Sequence, residues 1–202
     1  MNYFRLIQQG INVAPLLAEI RNQDAAWLAN TSRQDKIEVQ RDTNTIFLRN
    51  AARRPDLHVN ENQESVVTPI ANDFPIAMGF LTKVAELLKG SLSRATIVRL
   101  KPQSQVGMHI DTGSYYLIRN RFHFVLQSPS GSHLQAGNEQ VLMREGELWW
   151  FDNKQHHSAF NASDEWRIHY IFDLLPPAYE RMATNPMPLE MLQQRAAATA
   201  VD

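Results

Sequence analysis

From residue 95 onward the chain changes texture. The runs ATIVRL, RFHFVLQ, SHLQA, EQVLMRE, GELWWF, HHSAFNA and EWRIHYIFDL follow one another, separated by glycine, proline or polar turns. Each is short and rich in β-branched and aromatic residues, and strands at this spacing assemble into a β-sandwich or barrel. Any chemistry is then expected where the inward faces of that half converge.

The preceding half reads differently. Residues 13–30 have helical periodicity, with Leu16, Leu17, Ile20 and Trp27 on one face. Residues 37–49 have strand composition, and 53–72 are polar and proline-punctuated, which predicts a loop. The strongest helical pattern covers 76–88, with Gly90 as its expected stop. After Pro176 and Pro177 the chain is again helix-like and runs into an alanine-rich tail. The expected organisation is one α+β, mainly β domain. It comprises helices and outer strands over 1–94, a β core over 95–177, and a helical tail over 178–202.

Composition narrows the function. With 202 residues, a chain of this length buries roughly 70% of its unfolded surface and needs no covalent or metal staple to fold. There is no cysteine, which excludes disulfide scaffolds, thiolate catalysis and cysteine-ligated metal clusters. Any metal must therefore be held by histidine and carboxylate. Lysine and arginine number 20 against 21 acids, giving a net charge of −1, so no nucleic-acid partner is expected. No run approaches the ~18 apolar residues of a membrane span, and the first residues carry no secretory pattern. These readings predict a cytoplasmic protein without a membrane partner; they leave the oligomeric state open.

Two segments concentrate metal- and anion-binding side chains. The first holds His109, Asp111, Arg119, Arg121 and His123; the second holds Asp152, His156, His157, Arg167 and His169. In a strand, residues i and i+2 share a face, so His109 and Asp111 can reach one metal from one side. A histidine from a neighbouring strand would complete a two-histidine, one-carboxylate set with open positions, the arrangement that suits non-haem Fe(II) oxygenases. Only one of His156 and His157 can point inward, because adjacent strand residues face opposite ways. The turn-like 161–164 predicts a hairpin of 155–160 with 165–172, with His157 opposite Arg167 and Cβ atoms ~5 Å apart. A buried arginine there requires an anionic partner, which a dicarboxylate supplies through paired N–H···O bonds. Arg121 and His123 alternate on another strand and could hold a second carboxylate. The competing reading of each is an ordinary strand residue or a packed core histidine, and His169 fits the latter best.

The pattern His109, then Arg121-Phe122-His123, then Gly146-Glu147-Leu148-Trp149-Trp150-Phe151-Asp152, then His157 with Arg167 ten residues on, resembles the aspartyl/asparaginyl β-hydroxylase family. Ile171-Phe172-Asp173 before Pro176 and Pro177 fits the family's closing strand. The resemblance spans about 97–177. It implies a double-stranded β-helix, a jelly-roll or cupin-like barrel flanked by the N-terminal helices. It further implies Fe(II), 2-oxoglutarate as co-substrate, and O2. By position, the metal histidines fall on His109 and His157, the arginine for the far carboxylate of 2-oxoglutarate on Arg167, and the groups near its chelating end on Arg121 and His123. The family hydroxyl that helps hold the co-substrate falls near Val98; Thr96, on the same strand face, is its candidate replacement. Asp111 departs from vertebrate members, which lack the metal carboxylate, and is similar to bacterial free-proline hydroxylases with His-x-Asp…His.

What the resemblance implies is a 2-oxoglutarate-dependent dioxygenase, a hydroxylase. It would convert 2-oxoglutarate and O2 to succinate and carbon dioxide while hydroxylating an amino acid or a peptidyl Asp/Asn-type residue. Tyr115, Tyr116 and Arg119, on an expected loop beside the metal, and Arg49, at a strand end, are candidate substrate contacts. A small-molecule amino acid or short peptide is the expected partner. The rival is a non-catalytic metal- and dicarboxylate-binding cupin-like sensor, against which the complete His109–Asp111–His157 set argues.

Overall fold

The computed structural model describes residues 1–184, and the alanine-rich tail lies outside the described residues. Two antiparallel sheets and a helical layer make three layers. The larger sheet has seven strands: β1 (Phe4–Gln8), β2 (Thr43–Ala51), β3 (Ser65–Val67), β4 (Ser91–Leu100), β6 (Asn120–Gln127), β9 (Leu148–Phe151) and β11 (Arg167–Leu175). Their order is β1-β9-β6-β11-β4-β2-β3. The smaller sheet contains β5 (Ser104–His109), β7 (Ser132–Ala136), β8 (Glu139–Val141) and β10 (His157–Asn161), in the order β5-β10-β7-β8. Hydrogen bonding joins the strands of the described residues into these two separate sheets rather than a closed barrel.

Period-two alternation sends one face of the large sheet to the helices and the other to the small sheet. Phe122, Phe124 and Leu126 of β6, with Tyr170, Phe172 and Leu174 of β11, pack under α1 (Ala14–Ile20) and α4 (Pro75–Leu87). On the opposite face Val125, Phe151 and Leu100 meet Leu134, Ala136 and Ala159 of the small sheet. That apolar cluster closes one end of the space between the sheets. Arg121, His123, Arg167 and Asp173 lie on the same inward faces, where the space stays open.

The helices refine the sequence reading. The segment 13–30 is not one helix but two: α1 stops at Ile20, and α2 (Asp24–Leu28) restarts after a non-helical Gln23 with ψ 44°. The turn lets Ile20 and Trp27 both enter the core. Helix α3 (Ser32–Lys36) follows, and 38–40 form a 3-10 turn rather than strand; the strand begins only at Thr43. That turn seats Val39 against Gly107 of β5, where a Cβ would come within 3.0 Å of the valine methyl. Within 53–72 the chain forms β3 and a 3-10 turn over 69–73.

Helix α4 starts with proline at its first turn and buries Ala77, Leu81, Val84 and Ala85 at helical spacing. Its end is capped one residue earlier than expected. Lys89 takes the left-handed φ of 51°, and Gly90 N donates to Ala85 O at 3.0 Å. Gly90 itself is required for packing, since a Cβ there would stand 2.9 Å from Leu174 Cβ. After β11 come a 3-10 turn over 177–179 and α6 (Glu180–Thr184). Among the described residues no helix is long and apolar enough to cross a membrane.

Candidate metal centre

His109 ends β5 and His157 begins β10, and the two are paired residues of adjacent strands. Asp111 lies just past β5, anchored by its N–H to Asn153 O at 3.2 Å. The ligand atoms of His109, Asp111 and His157 all lie within 4.8 Å of one another. Both imidazoles are oriented alike: Nδ1 of His109 donates to Gly107 O at 2.8 Å, and Nδ1 of His157 donates to Gln155 O at 2.8 Å. A carbonyl only accepts, so the proton sits on Nδ1 and each Nε2 keeps a bare lone pair. Burial drives the His157 pKa down to about 4, so the ring is neutral and ready to ligate at neutral pH. His156, its neighbour, is exposed.

The carboxylate is held in the charged form. Burial opposes ionisation of Asp111, but the Arg121 guanidinium, with His157 and the Asn153 amide, outweighs it and keeps the pKa below the usual range. Arg121 Nη1 donates to Asp111 Oδ2 at 2.5 Å, and Asn153 Nδ2 donates to the same oxygen at 3.0 Å. Arg121 also grips Asp173, the residue directly opposite on β11, with Nε to Oδ1 at 2.8 Å and Nη2 to Oδ2 at 3.0 Å. The sequence reading gave Arg121 to a ligand carboxylate. In the structure its guanidinium is occupied by two protein carboxylates, one belonging to the donor set. Asn153 and Asp173 were not foreseen. Asp173 could have been, because it continues the inward face of Arg167, His169 and Ile171; Asn153 carries no sequence signal.

Arg167 is a second arginine on the cavity wall, and it is buried. It is not opposite His157: β10 pairs with β5 and β7, whereas β11 pairs with β4 and β6 in the other sheet, so the expected hairpin does not form. The chain crosses between sheets at 162–166, and Asn161 Nδ2 takes the carbonyls of Leu100, Lys101 and Glu165 that a hairpin would have left to strand pairing. Arg167 and His157 nevertheless line the same cavity of about 860 Å³ from opposite sheets. Nη2 of Arg167 contacts His169 Nδ1 at 3.3 Å, and burial lowers its pKa to about 10. It has no anionic partner among the described residues.

His123 and His169 meet through their Nδ1 atoms at 3.1 Å. Arg167 can only donate, which assigns the accepting Nδ1 to His169 and the shared proton to His123. Burial, then the charge of Arg167, holds both histidines well below their usual pKa. His169 Nε2, and Ser158 Oγ on the cavity wall, are buried without a hydrogen-bond partner among the described residues. Buried polar atoms in that state call for a polar ligand or ordered water.

Thr96 and Val98 both line the cavity from β4, and Tyr116 and Arg49 line it as well. Arg49 is tied down, with Nε donating to Ser93 O at 2.9 Å and Nη2 to Ser65 O at 2.7 Å. Tyr115 and Arg119 do not line it. The segment expected to be a loop forms α5 (Ser114–Leu117), which buries Tyr115 completely. The Tyr115 hydroxyl accepts from Arg94 N at 2.9 Å and donates to Asp173 at 3.1 Å. Arg119 is spent on Ser93 Oγ, Asn62 Oδ1 and Tyr115 O.

Fold and donor set define a three-layer, mainly β protein with a two-histidine, one-carboxylate centre beside a buried cationic pocket. That set fits a mononuclear non-haem metal such as Fe(II), and the unpaired Arg167 fits a carboxylate co-substrate. The model of the Aspartyl/Asparaginyl beta-hydroxylase family matches residues 19–177, and the chain belongs to that family. An oxidoreductase of the 2OG-Fe(II) oxygenase family from Burkholderia pseudomallei superposes with a TM-score of 0.52 at 11% identity, covering 82% of this chain and 91% of that one. A viral collagen prolyl hydroxylase from Paramecium Bursaria Chlorella virus-1, solved as a 2OG complex, gives a TM-score of 0.49 at 12% identity over 86% and 96% of the two chains. Among curated proteins none matches significantly.

Proposed function

We propose that the chain is an Fe(II)/2-oxoglutarate-dependent dioxygenase that hydroxylates an amino acid or a peptidyl Asp/Asn-type residue. The observation that carries this reading is the joint presence, in one cavity, of the His109–Asp111–His157 donor set and a buried arginine without an anion. The two facing sheets support the double-stranded β-helix arrangement that the family implies.

Bound there, Fe(II) with 2-oxoglutarate and dioxygen supplies oxidative decarboxylation coupled to C–H hydroxylation. The chain's residues do the positioning. His109 and His157 present Nε2 atoms whose direction is fixed by the carbonyls behind them. Asp111 contributes the single negative charge, aimed by Arg121 and Asn153. Arg167 is the partner for the far carboxylate of 2-oxoglutarate, with Thr96 on the adjoining wall and neutral His123 beside it. Leu134, Val106 and Phe151 line the inner end with apolar surface and exclude water.

The test is Fe(II)-dependent succinate formation with a panel of free amino acids and short Asp/Asn peptides, with His109→Ala and Arg167→Ala as controls. Turnover stimulated by one panel member and lost in both variants is expected. Metal and 2-oxoglutarate binding without any succinate would replace the enzyme with a dicarboxylate sensor; failure of both to bind would end the reading.

A further inference from the structure

The arginines lining the cavity are almost all committed. Arg121 is held by Asp111 and Asp173, and Arg49 by two backbone carbonyls. Arg94 donates to Val59 O and lies 3.7 Å over the Tyr115 ring. Arg54 pairs with Asp56, and Arg53 is exposed. Apart from the exposed Arg53, two remain without a hydrogen bond to an oxygen among the described residues: Arg167, deep between the sheets, and Arg33 on α3.

Arg33 is not a surface arginine turned to solvent. Its guanidinium lies 5.2 Å over the ring of Phe47, itself a cavity residue of β2. Burial lowers its pKa, and the charges that act on it are those of Tyr116, Arg121, Asp111 and Arg94. It lines the same cavity as His109, Asp111, His157 and Arg167. The only acids lining the cavity are Asp111 and Asp173, and both are already bound to Arg121.

Arg167 is buried and Arg33 is half-buried on the cavity wall, and a cation there that no protein group neutralises is a seat for an anion from outside. Arg167 answers to the co-substrate. We propose that Arg33, seated on Phe47, is a specificity-determining residue that pairs with a carboxylate of the substrate. This rests on the oxygenase reading and sharpens it, because it makes the substrate an acid at the end facing α3. The guanidinium lies over the Phe47 ring, and its planar fork suits a carboxylate better than an amide. The surplus of arginines around the mouth also disfavours substrates carrying lysine or arginine.

Two sources of that carboxylate are chemically equivalent here: the α-carboxylate of a free amino acid and the side chain of an acidic residue in a peptide. Binding to protein loaded with Mn(II) and 2-oxoglutarate, without turnover, separates them. Three probes suffice: free L-asparagine, N-acetyl-aspartate amide, and N-acetyl-asparagine amide, which carries no carboxylate. Calorimetric titration should show the neutral probe to be the weakest. Arg33→Gln should weaken the favoured acidic probe at least tenfold and the neutral one less than twofold, and Arg33→Lys should recover part of the loss.

Whichever acidic probe responds to Arg33→Gln identifies the source. Equal weakening of acidic and neutral probes, or none, overturns the proposal. So does loaded protein that binds 2-oxoglutarate but none of the acids. Failure of the oxygenase reading would look different: Mn(II)-dependent 2-oxoglutarate binding would be missing from the wild-type protein, before Arg33 is tested.

Discussion

Replacing Arg167 by methionine separates a binding role from a structural one, because the two predict opposite changes in stability. The side chain is 6% exposed, and its polar contact is with His169 Nδ1 at 3.3 Å. Burial takes its pKa down to about 10, well below the ordinary arginine range. At 1.36 kcal/mol per pH unit, that is about 3 kcal/mol of unfavourable desolvation. The folded pKa is below the unfolded one, so from about pH 10 up to the ordinary arginine range the unfolded chain binds more protons. The penalty is therefore fully present below pH 10 and relieved only above it.

Methionine retains much of the stem and removes the charge, at the loss of about 1 kcal/mol for the contact to His169. The metal-free variant should gain about 2 kcal/mol in urea unfolding near neutral pH, or roughly 4–8 °C in Tm. With Mn(II) and 2-oxoglutarate at a thousandfold excess over Kd, the wild type should gain about 4 kcal/mol and overtake it. The variant should gain little under the same conditions. A variant less stable than wild type without ligand, yet stabilised equally by 2-oxoglutarate, would refute the assignment of Arg167 as an anion site.

Three further substitutions test the frame around the centre. Arg121→Gln leaves Asp111 and Asp173 buried without their cation, and should cost about 3–5 kcal/mol in urea unfolding; a loss below about 1 kcal/mol would show that the pair is solvated. Gly113→Ala forces a side chain into φ 110° with its Cβ 2.3 Å from Asn60 O, so its melting temperature should drop by the equivalent of about 1–3 kcal/mol or more. Tyr115→Phe removes both an acceptor for Arg94 N and a donor to Asp173, predicting a loss of about 1–3 kcal/mol. Substrate KM should stay unchanged in that variant, and a KM effect without a stability effect would return Tyr115 to the substrate site.

The grouping of His109, Asp111 and His157 was legible in part because strand geometry is local. Adjacent strand residues face opposite ways, so only one of His156 and His157 turns inward; the family resemblance selected His157, and Asp111 lies just past β5, held by its N–H on Asn153 O. The strong helix over 76–88 was legible for the same reason, its burial being set by periodicity along one element. Where two elements compete for one segment, the reading failed. The sequence 37–49 has strand composition throughout, yet 38–40 turn to fit Val39 onto Gly107, a contact with β5 far along the chain.

The turn at 161–164 shows the limit most clearly. Its composition specifies a change of direction but not the destination. Asn161, by binding the carbonyls of Leu100, Lys101 and Glu165, sends the chain into the other sheet. The sequence by itself determined which side chains could ligate a metal and which faces they share. Only the tertiary structure decided that Arg121 is spent on Asp111 and Asp173, that Tyr115 and Arg119 are frame rather than site, and that Arg33 joins the cavity. The reason is that a charged group's role depends on the partners left to it after folding. Those partners come from strands and helices distant in sequence, brought together by packing that local preference does not encode.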